Sequence, residues 1–593
     1  MNIKQLSLAA AVSALTFSTA TNAVLGPIPI YLNTEYRTDS PVIGSIASTL
    51  SYDRNNIQES GANTFGEFLS GIPGVEYEGG QGNLTSLRIR GNEASHTLLL
   101  VDGAKVSITA SQPNLDVVPL DLIENIEITK GPFSSLYGPG AIGGVIHVTT
   151  SKKQTANKNN LKISYGTNNT KKISMSSNNI TENGYLNFSI SDYHTDGINA
   201  TEQDSTGEKD SIDRLSLSIN TGTKVNNNTN IEFNFLNNNA DIEYDDLYGG
   251  TVKADNNLTQ YNIKTTHKIN DNLSSSLDVR KQKTQRRGDK YELTGVTLLN
   301  EYSLDNSITS FGLELESDKD VGNSKYIKHN DIFAQYQTQI SNNDFVIGYR
   351  NVDHDKFIKH HTYNLGWGKD INDDLRINAA YGKATNLPSH YQNNLNITAN
   401  KTELKPEHSK NLEIGLDYKN ISAKVFKSIT KDAFSYSYGN DGVWSSDDHY
   451  INKDGIENKG VELNLKNRFS TWDIDSSFTY LDSIDSTTKL DQGRRPNKSL
   501  NITAKNSFGK FDNKVQLIAK SSTFDHDDNT TRGKNAGYGL INLGTSYDYN
   551  NKTKVYLNVN NALDKKYTVA KTSATESYNQ LGRTINLGVN YTF

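Results

Sequence analysis

Gly82-Asn-Leu-Thr-Ser-Leu-Arg-Ile-Arg-Gly91, Thr97-Leu-Leu-Leu-Val-Asp-Gly103, Ile123-Glu-Asn-Ile-Glu-Ile-Thr-Lys-Gly-Pro132, Leu136-Tyr-Gly-Pro-Gly140 and Ala141-Ile-Gly-Gly-Val-Ile-His-Val-Thr-Thr150 together decide the fold. Each is a short apolar or alternating run that stops at Gly, Pro or Asp-Gly, residues that turn a chain. Just upstream, Ile57, Phe65, Phe68 and Leu69 recur at helical spacing, and Asn63 is placed to cap the second helical piece. Gly71-Ile-Pro-Gly-Val75 ends that piece, and a strand is predicted from Val75 to Tyr77. Residues 46–152 therefore read as one small α+β domain, with a polar linker over 152–160.

From Leu161 onward the rhythm changes to period two. Leu186, Phe188 and Ile190 alternate with Asn187 and Ser189, and Ile231, Phe233 and Phe235 alternate with Glu232 and Asn234. Leu215, Leu217 and Ile219, then Val461, Leu463 and Leu465, repeat the pattern. The chain finishes with Ile585, Leu587, Val589, Tyr591 and Phe593 on one face. Alternation gives each strand one apolar and one polar side. A soluble sandwich does the same, but rarely sustains it this long without a domain break. Tight turns at Lys419-Asn420 and Asn270-Asp-Asn272 contrast with long polar connections expected at 238–256, 315–330, 437–458 and 522–537. Short turns at one end and long loops at the other are the mark of an outer-membrane β-barrel.

Composition agrees. Hydrophobic residues are 34% of 593, too few for a helical membrane protein but enough for strands that show lipid only alternate residues. The 31 tyrosines suit interfacial girdles. A net charge of −6 gives no reason to propose nucleic acid, and the absence of cysteine excludes disulfides and thiolate metal sites. Lys4, the apolar and small residues from Leu6 to Ala20, and Thr21-Asn22-Ala23 form a secretory signal peptide over 1–23. The alternative, a membrane-spanning helix, would need a longer run with fewer Ser, Thr and Ala residues.

The ordered set Ile-Arg-Gly, Val-Asp-Gly, Lys-Gly-Pro, Leu-Tyr-Gly and Ala-Ile-Gly-Gly-Val-Ile resembles the plug domain of TonB-dependent outer-membrane receptors. Asn92-Glu-Ala-Ser-His96 leans toward the subgroup that takes up cobalamin. Leu404-Lys-Pro-Glu407 with Glu413-Ile-Gly415, and Asn561-Ala-Leu-Asp-Lys-Lys-Tyr567, extend the resemblance into the second domain. It implies a mainly β protein: a 22-stranded antiparallel transmembrane β-barrel over 153–593, with the plug inside its lumen. It also implies the outer membrane of a Gram-negative bacterium. The implied partners, besides lipid, are TonB in the periplasm and cobalamin outside.

The resemblance assigns residues as well. A TonB box would lie within 24–45, with Ile28, Pro29, Ile30, Tyr31, Leu32, Asn33, Thr34 and Glu35 as its residues. Pro27 and Pro29 weaken one edge of such a strand, and a plain linker is the other reading. Ligand contacts fall at Leu84, Ser86, Glu93, Ser111 and Gln112 on the plug and Arg494 on the barrel; ordinary plug packing explains Leu84 and Ser86 equally well. The family has Asn where this chain has Glu93, and a Tyr where it has the run Asp525–Asp528. Structural calcium would sit on Glu208, Asp210, Asp213, Tyr244, Asp245 and Asp255, with Asn199 replacing one expected carboxylate. Asp204 and Asp241 belong to the same acidic loops. Calcium takes six to eight oxygens, and like charges this close repel unless a cation neutralises them; a solvated acidic surface is the alternative.

No enzyme motif emerges: there is no His-Glu-x-x-His, no Gly-x-Ser-x-Gly and no phosphate loop. His354, His360 and His361 match no ligand spacing and read as part of a polar surface loop. The expected function is energy-coupled import of cobalamin by a monomer, without covalent chemistry. An iron–siderophore or haem cargo is the nearest rival, and bacteriophage or colicin-type toxins are partners that such receptors acquire. A passive porin is disfavoured because a plug blocks an open channel.

Overall fold

The computed structural model describes residues 34–38, 41–79, 85–106, 114–150, 157–245, 250–357, 359–437 and 448–593. The expected signal peptide, Ile28 to Asn33 of the expected box, and the ligand candidates Leu84, Ser111 and Gln112 lie outside the described residues.

The N-terminal domain is built on a five-stranded sheet in the order Ser48–Asp53, Asn125–Lys130, Gly144–Thr149, Thr97–Val101, Ala104–Lys105. Neighbours are antiparallel except Thr97–Val101, which runs parallel to Gly144–Thr149. Both central strands are buried along their whole length, which is why they read as continuous apolar runs. Helices Arg54–Ser60 and Phe65–Ser70 cover one face, and Ile57, Phe65, Phe68 and Leu69 enter the core as their spacing predicts. The cap of the second helix is Thr64 rather than Asn63: the Thr64 hydroxyl accepts the Glu67 N–H, while Asn63 N–H donates to the Glu67 carboxylate. The predicted strand after the Pro-Gly turn is Val75–Glu78, paired with Ser86–Ile89.

Around this domain, 22 strands from Lys158–Gly166 to Thr584–Thr592 form a closed barrel. It closes where the last strand pairs with the first, Val589 opposite Ile163. The sides are reversed relative to a soluble protein. In strand Ser307–Asp320, Leu313 is 48% exposed while its neighbour Glu314 is 1% exposed. Apolar residues point to lipid, and polar residues point inward, where the plug buries them. Gln260 donates to Val101 O at 2.9 Å and Gln282 to Val106 O at 3.2 Å, so the wall reads plug backbone directly.

The tight turns at Lys419-Asn420 and 270–272 are present. Two expected long loops are not. Residues 315–330 form the ends of strands Ser307–Asp320 and Lys325–Ile340 with the turn between them, and 238–245 and 251–256 are the ends of strands Thr229–Asp245 and Thr251–Lys268. Over 315–330 both faces of the strand ends are largely polar, so the alternation that reveals a strand fades there. Ala240, Ile242 and Tyr244 do alternate with Asp241, Glu243 and Asp245, but their apolar side packs inward on Tyr193 and Ile212. The other two connections carry small hairpins, Ala433–Ser437 with His449–Lys453 and Thr523–Phe524 with Lys534–Asn535. The linker is also shorter than expected, since barrel pairing begins at Lys158.

Candidate ligand vestibule and cation site

The plug apex meets the barrel mouth through a set of matched charges. Strand Ser86–Ile89 lifts Arg88 beside Glu78, with Arg88 Nε 3.9 Å from Glu93. From the barrel, Arg495 donates to Glu93 at 2.6 Å and to Gly91 O at 2.7 Å. Arg494 donates to Asp525 at 3.0 Å and lies 3.4 Å from Glu78. Burial would raise the Glu93 carboxyl; the charges of Arg495 and Arg88 outweigh it and hold it at about 2. Of the sequence candidates, Ser86, Glu93 and Arg494 thus converge, with Ser86 opposite Glu78 in the strand pair. Arg88, Arg495 and Asp525 complete the group. They carry no motif of their own, and only the folded chain shows that they pair. The Asp-rich run serves the loop itself: Asp527 accepts the Gly493 N–H, and Asp528 accepts those of Thr530 and Thr531.

Below the apex, buried ion pairs tie plug to wall. Arg90 bridges Glu413 and Glu462, and Lys130 reaches Glu462 at 2.9 Å. His96 meets Glu407 at 2.8 Å. Gly74, at φ +68, lets the Pro-Gly turn pass here, because a Cβ would collide with Lys130 Nζ and Glu462 Oε1. Arg37 and Arg350 both donate to Leu136 O and both approach Glu314. Pairing of this kind offsets the cost of burying a charge.

The acidic loops come together in part. One carboxylate oxygen from each of Asp204, Glu208 and Asp245 lies within 4.8 Å of the others. Asp210 is wholly buried; its Oδ2 accepts the Ala200 N–H at 2.7 Å. Glu208 Oε1, Asp210 Oδ1 and Asp245 Oδ1 are sealed from solvent and, among the described residues, meet no donor. Burial, then the charges of Asp245, Glu208 and Glu243, push the Asp210 carboxyl up to about 7 against the pull of the Ala200 N–H. Orphaned, mutually repelling carboxylate oxygens are what a hard divalent cation satisfies, and the donor set fits calcium. Asn199 stands outside this set and steadies it, donating to Asp204.

Three expected ligands are directed elsewhere. Asp213 bonds His194 at 3.0 Å on the outward face. Asp255 accepts from Gln285 at 3.2 Å. Tyr244 packs with Tyr193, Ile212 and Ile242, and the Arg287 guanidinium lies 3.5 Å from its ring centre. Strand alternation explains the first two, since Asp213, Asp241 and Asp255 stand directly opposite one another across three strands, on the face away from Arg214. Of the histidines, His361 stacks outward on Tyr349, while His354 and His360 are buried rather than part of a polar surface.

The end of the expected box is not an extended strand. Residues 34–37 form a turn packed under the plug. Thr34 donates to Glu127 from both its N–H and its hydroxyl, and Tyr137 donates to Thr34 O. Glu35 accepts the Ile46 and Ala47 N–H groups at 2.7 and 2.8 Å. Those bonds need a folded turn, which outweighs the extended preference read from the sequence.

Comparison with known proteins agrees with this architecture. Residues 41–145 match the family model TonB-dependent Receptor Plug Domain, and residues 148–562 match TonB dependent receptor-like, beta-barrel. A vitamin B12 transporter BtuB of Vibrio vulnificus is 26% identical over 589 residues, covering 94% of this chain and 93% of the relative. One from Photobacterium profundum is 25% identical over 94% of this chain and 95% of its own. Among solved structures, the siderophore receptor PirA from Acinetobacter baumannii superposes with a TM-score of 0.77 at 16% identity, covering 92% of this chain and 98% of PirA. The copper transporter OprC gives 0.78 at 16% identity, over 93% of this chain and 100% of its own. At that identity the structures speak to the fold alone. Plug, closed barrel and family match together make this chain a TonB-dependent receptor of the Gram-negative outer membrane.

Proposed function

We propose that this receptor imports cobalamin, with a calcium ion ordering its outer acidic loops and TonB drawing on its N-terminal segment. The likeness to vitamin B12 transporters along nearly the whole chain carries this reading. The vestibule supports it. Arg88, Arg494 and Arg495 are matched by Glu78, Glu93 and Asp525, so the apex offers a neutral, hydrogen-bonding surface rather than a cationic bowl for a polyanionic ferric siderophore. A large amide-rich ligand of no net charge suits such a surface. Calcium would bind at Asp204, Glu208, Asp210 and Asp245, removing a repulsion that the cargo would otherwise have to overcome.

The test is a binding titration of purified receptor with cyanocobalamin and with ferric siderophores, each with calcium and with a chelator. Cyanocobalamin should bind, and more tightly with calcium. Binding of a ferric siderophore without cyanocobalamin would overturn the cargo assignment. Equal cobalamin affinity in calcium and chelator would overturn the role given to the ion.

A further inference from the structure

The apex charges cancel, but one group of guanidinium side chains nearby does not. Arg214, Ala240, Asn256 and Arg286 stand directly opposite one another across four adjacent barrel strands. Ala240 and Asn256, between the two arginines, are 0% and 1% exposed, and Arg214 is 5% exposed. Three strand spacings of about 4.8 Å put the two arginine backbones about 14 Å apart. Two arginine side chains can close that gap, and the small Ala240 side chain, packed with Tyr193, Ile212 and Ile242, does not stand between them. Arg287 follows in the turn beyond Arg286, stacked on Tyr244. From the plug, the turn Leu115–Val117 brings Asp116 up to the same patch, where Arg286, Arg214 and Arg287 are the cations that act on it. Asp116 and Arg214 both line the cavity of about 660 Å³ between plug and wall.

Among the described residues, none of Arg214, Arg286 and Arg287 makes a hydrogen bond or an ion pair. Arg214 Nε and Arg286 Nη2 are sealed from solvent with no acceptor. Asp116 supplies one negative charge against three positive ones. Glu67, the other carboxylate acting near Arg214, already accepts the Asn63 N–H at 2.9 Å and is shared with Lys172. Arg214 is buried, with its guanidinium carbon 5.5 Å from the centre of the Tyr193 ring, while Arg286 and Arg287 are half-buried; the buried arginines described above, Arg90, Arg350 and Arg495, are all paired with carboxylates. An unpaired buried guanidinium is costly, and an incoming anion is the group that removes the cost. Forked guanidinium donors match the oxygens of a phosphate.

We propose that Arg214, Arg286 and Arg287 form an anion subsite that receives the phosphodiester of the cargo. This rests on the cobalamin reading, because a corrinoid with its nucleotide carries one phosphodiester and is otherwise rich in neutral amides. A single surplus-charge patch beside a charge-balanced apex matches that distribution.

The experiment uses the full-length receptor in detergent with three probes: cyanocobalamin, dicyanocobinamide (which lacks the nucleotide and its phosphodiester) and inorganic phosphate. The variants are R214Q/R286Q and, as a milder change at the turn, R287Q, each checked for an intact heat-modifiable barrel. The double variant should lose cobalamin affinity about tenfold or more and leave cobinamide within about twofold. R287Q should shift the ratio in the same direction by less, and phosphate should compete with cobalamin in the wild type alone. A ratio unchanged by either folded variant overturns the subsite while leaving cobalamin import standing. If neither corrinoid binds the wild type, the cargo reading fails instead, and phosphate titration decides the subsite. Saturable phosphate binding lost in the variants supports it for another phosphate-bearing cargo; no phosphate binding overturns it. If R214Q/R286Q does not fold, R287Q alone decides by the same ratio.

Discussion

Replacing Asp210 with Asn separates the two roles of that side chain. Its Oδ2 accepts the Ala200 N–H at 2.7 Å, a bond that an amide oxygen keeps. Its charge is a different matter, because burial and the neighbouring carboxylates raise its pKa to about 7. A calcium ligand must be ionised. The ionised share of Asp210 falls from about nine-tenths at pH 8 to about one-tenth at pH 6. Calcium affinity should therefore drop about tenfold over that interval, about 1.4 kcal/mol. The sign for the metal-free loop is opposite. The folded carboxyl sits above its ordinary 3.8, so the folded loop holds more protons than the unfolded one between the two values. That contribution to stability is complete below the ordinary value and is lost as pH rises through about 7. Calcium binding near pH 7 should expel about half a proton. Calorimetric titration with calcium across this range, in two buffers of different ionisation heat, measures both quantities. D210N should bind more weakly, with a flat pH profile. A flat profile in the wild type, or a tenfold slope that survives in D210N, would refute the reasoning.

Four further outcomes follow from the geometry. D245A should abolish most of the calcium response, whereas D213A should leave it within about twofold, because Asp213 is engaged by His194; equal effects in a calcium titration would restore Asp213 to the site. E462Q leaves Arg90 and Lys130 short of a buried counter-charge and should loosen the plug by about 3–5 kcal/mol, read as a lower denaturant midpoint for plug-specific hydrogen exchange with the barrel midpoint unchanged. Ile332→Arg, at a lipid-facing position 60% exposed and midway along strand Lys325–Ile340, should cost the barrel about 2–4 kcal/mol in folding titrations into bilayers. Deleting residues 28–33 should abolish energised uptake while cobalamin binding persists; uptake at the normal rate would show that force enters elsewhere.

The plug, the barrel and the family were legible in the residues because they rest on local, repeated signals. Gly and Pro punctuate the plug, and Leu313 and Leu315 alternate with Glu314 and Glu316 whether or not the partner strands are known. The same signals fail above the membrane, where water lies on both sides of a strand, and so 315–330 read as a loop. The site was legible only as a neighbourhood. Asp204, Asp210, Asp213, Asp245 and Asp255 look alike along the chain, all acidic and close together. Strand phase and loop closure decide which of them share a volume, and they turn Asp213 and Asp255 outward while bringing Asp204 in. The pairing of Arg494 with Asp525, of Arg495 with Glu93 and of Arg90 with Glu462 joins residues far apart in the chain. Among the described residues, Arg214 and Arg286 have no such ion pair, which the sequence does not show either. An arginine carries the same charge in any sequence; only the closed barrel, with the plug inside it, settles whether a carboxylate lies within its reach.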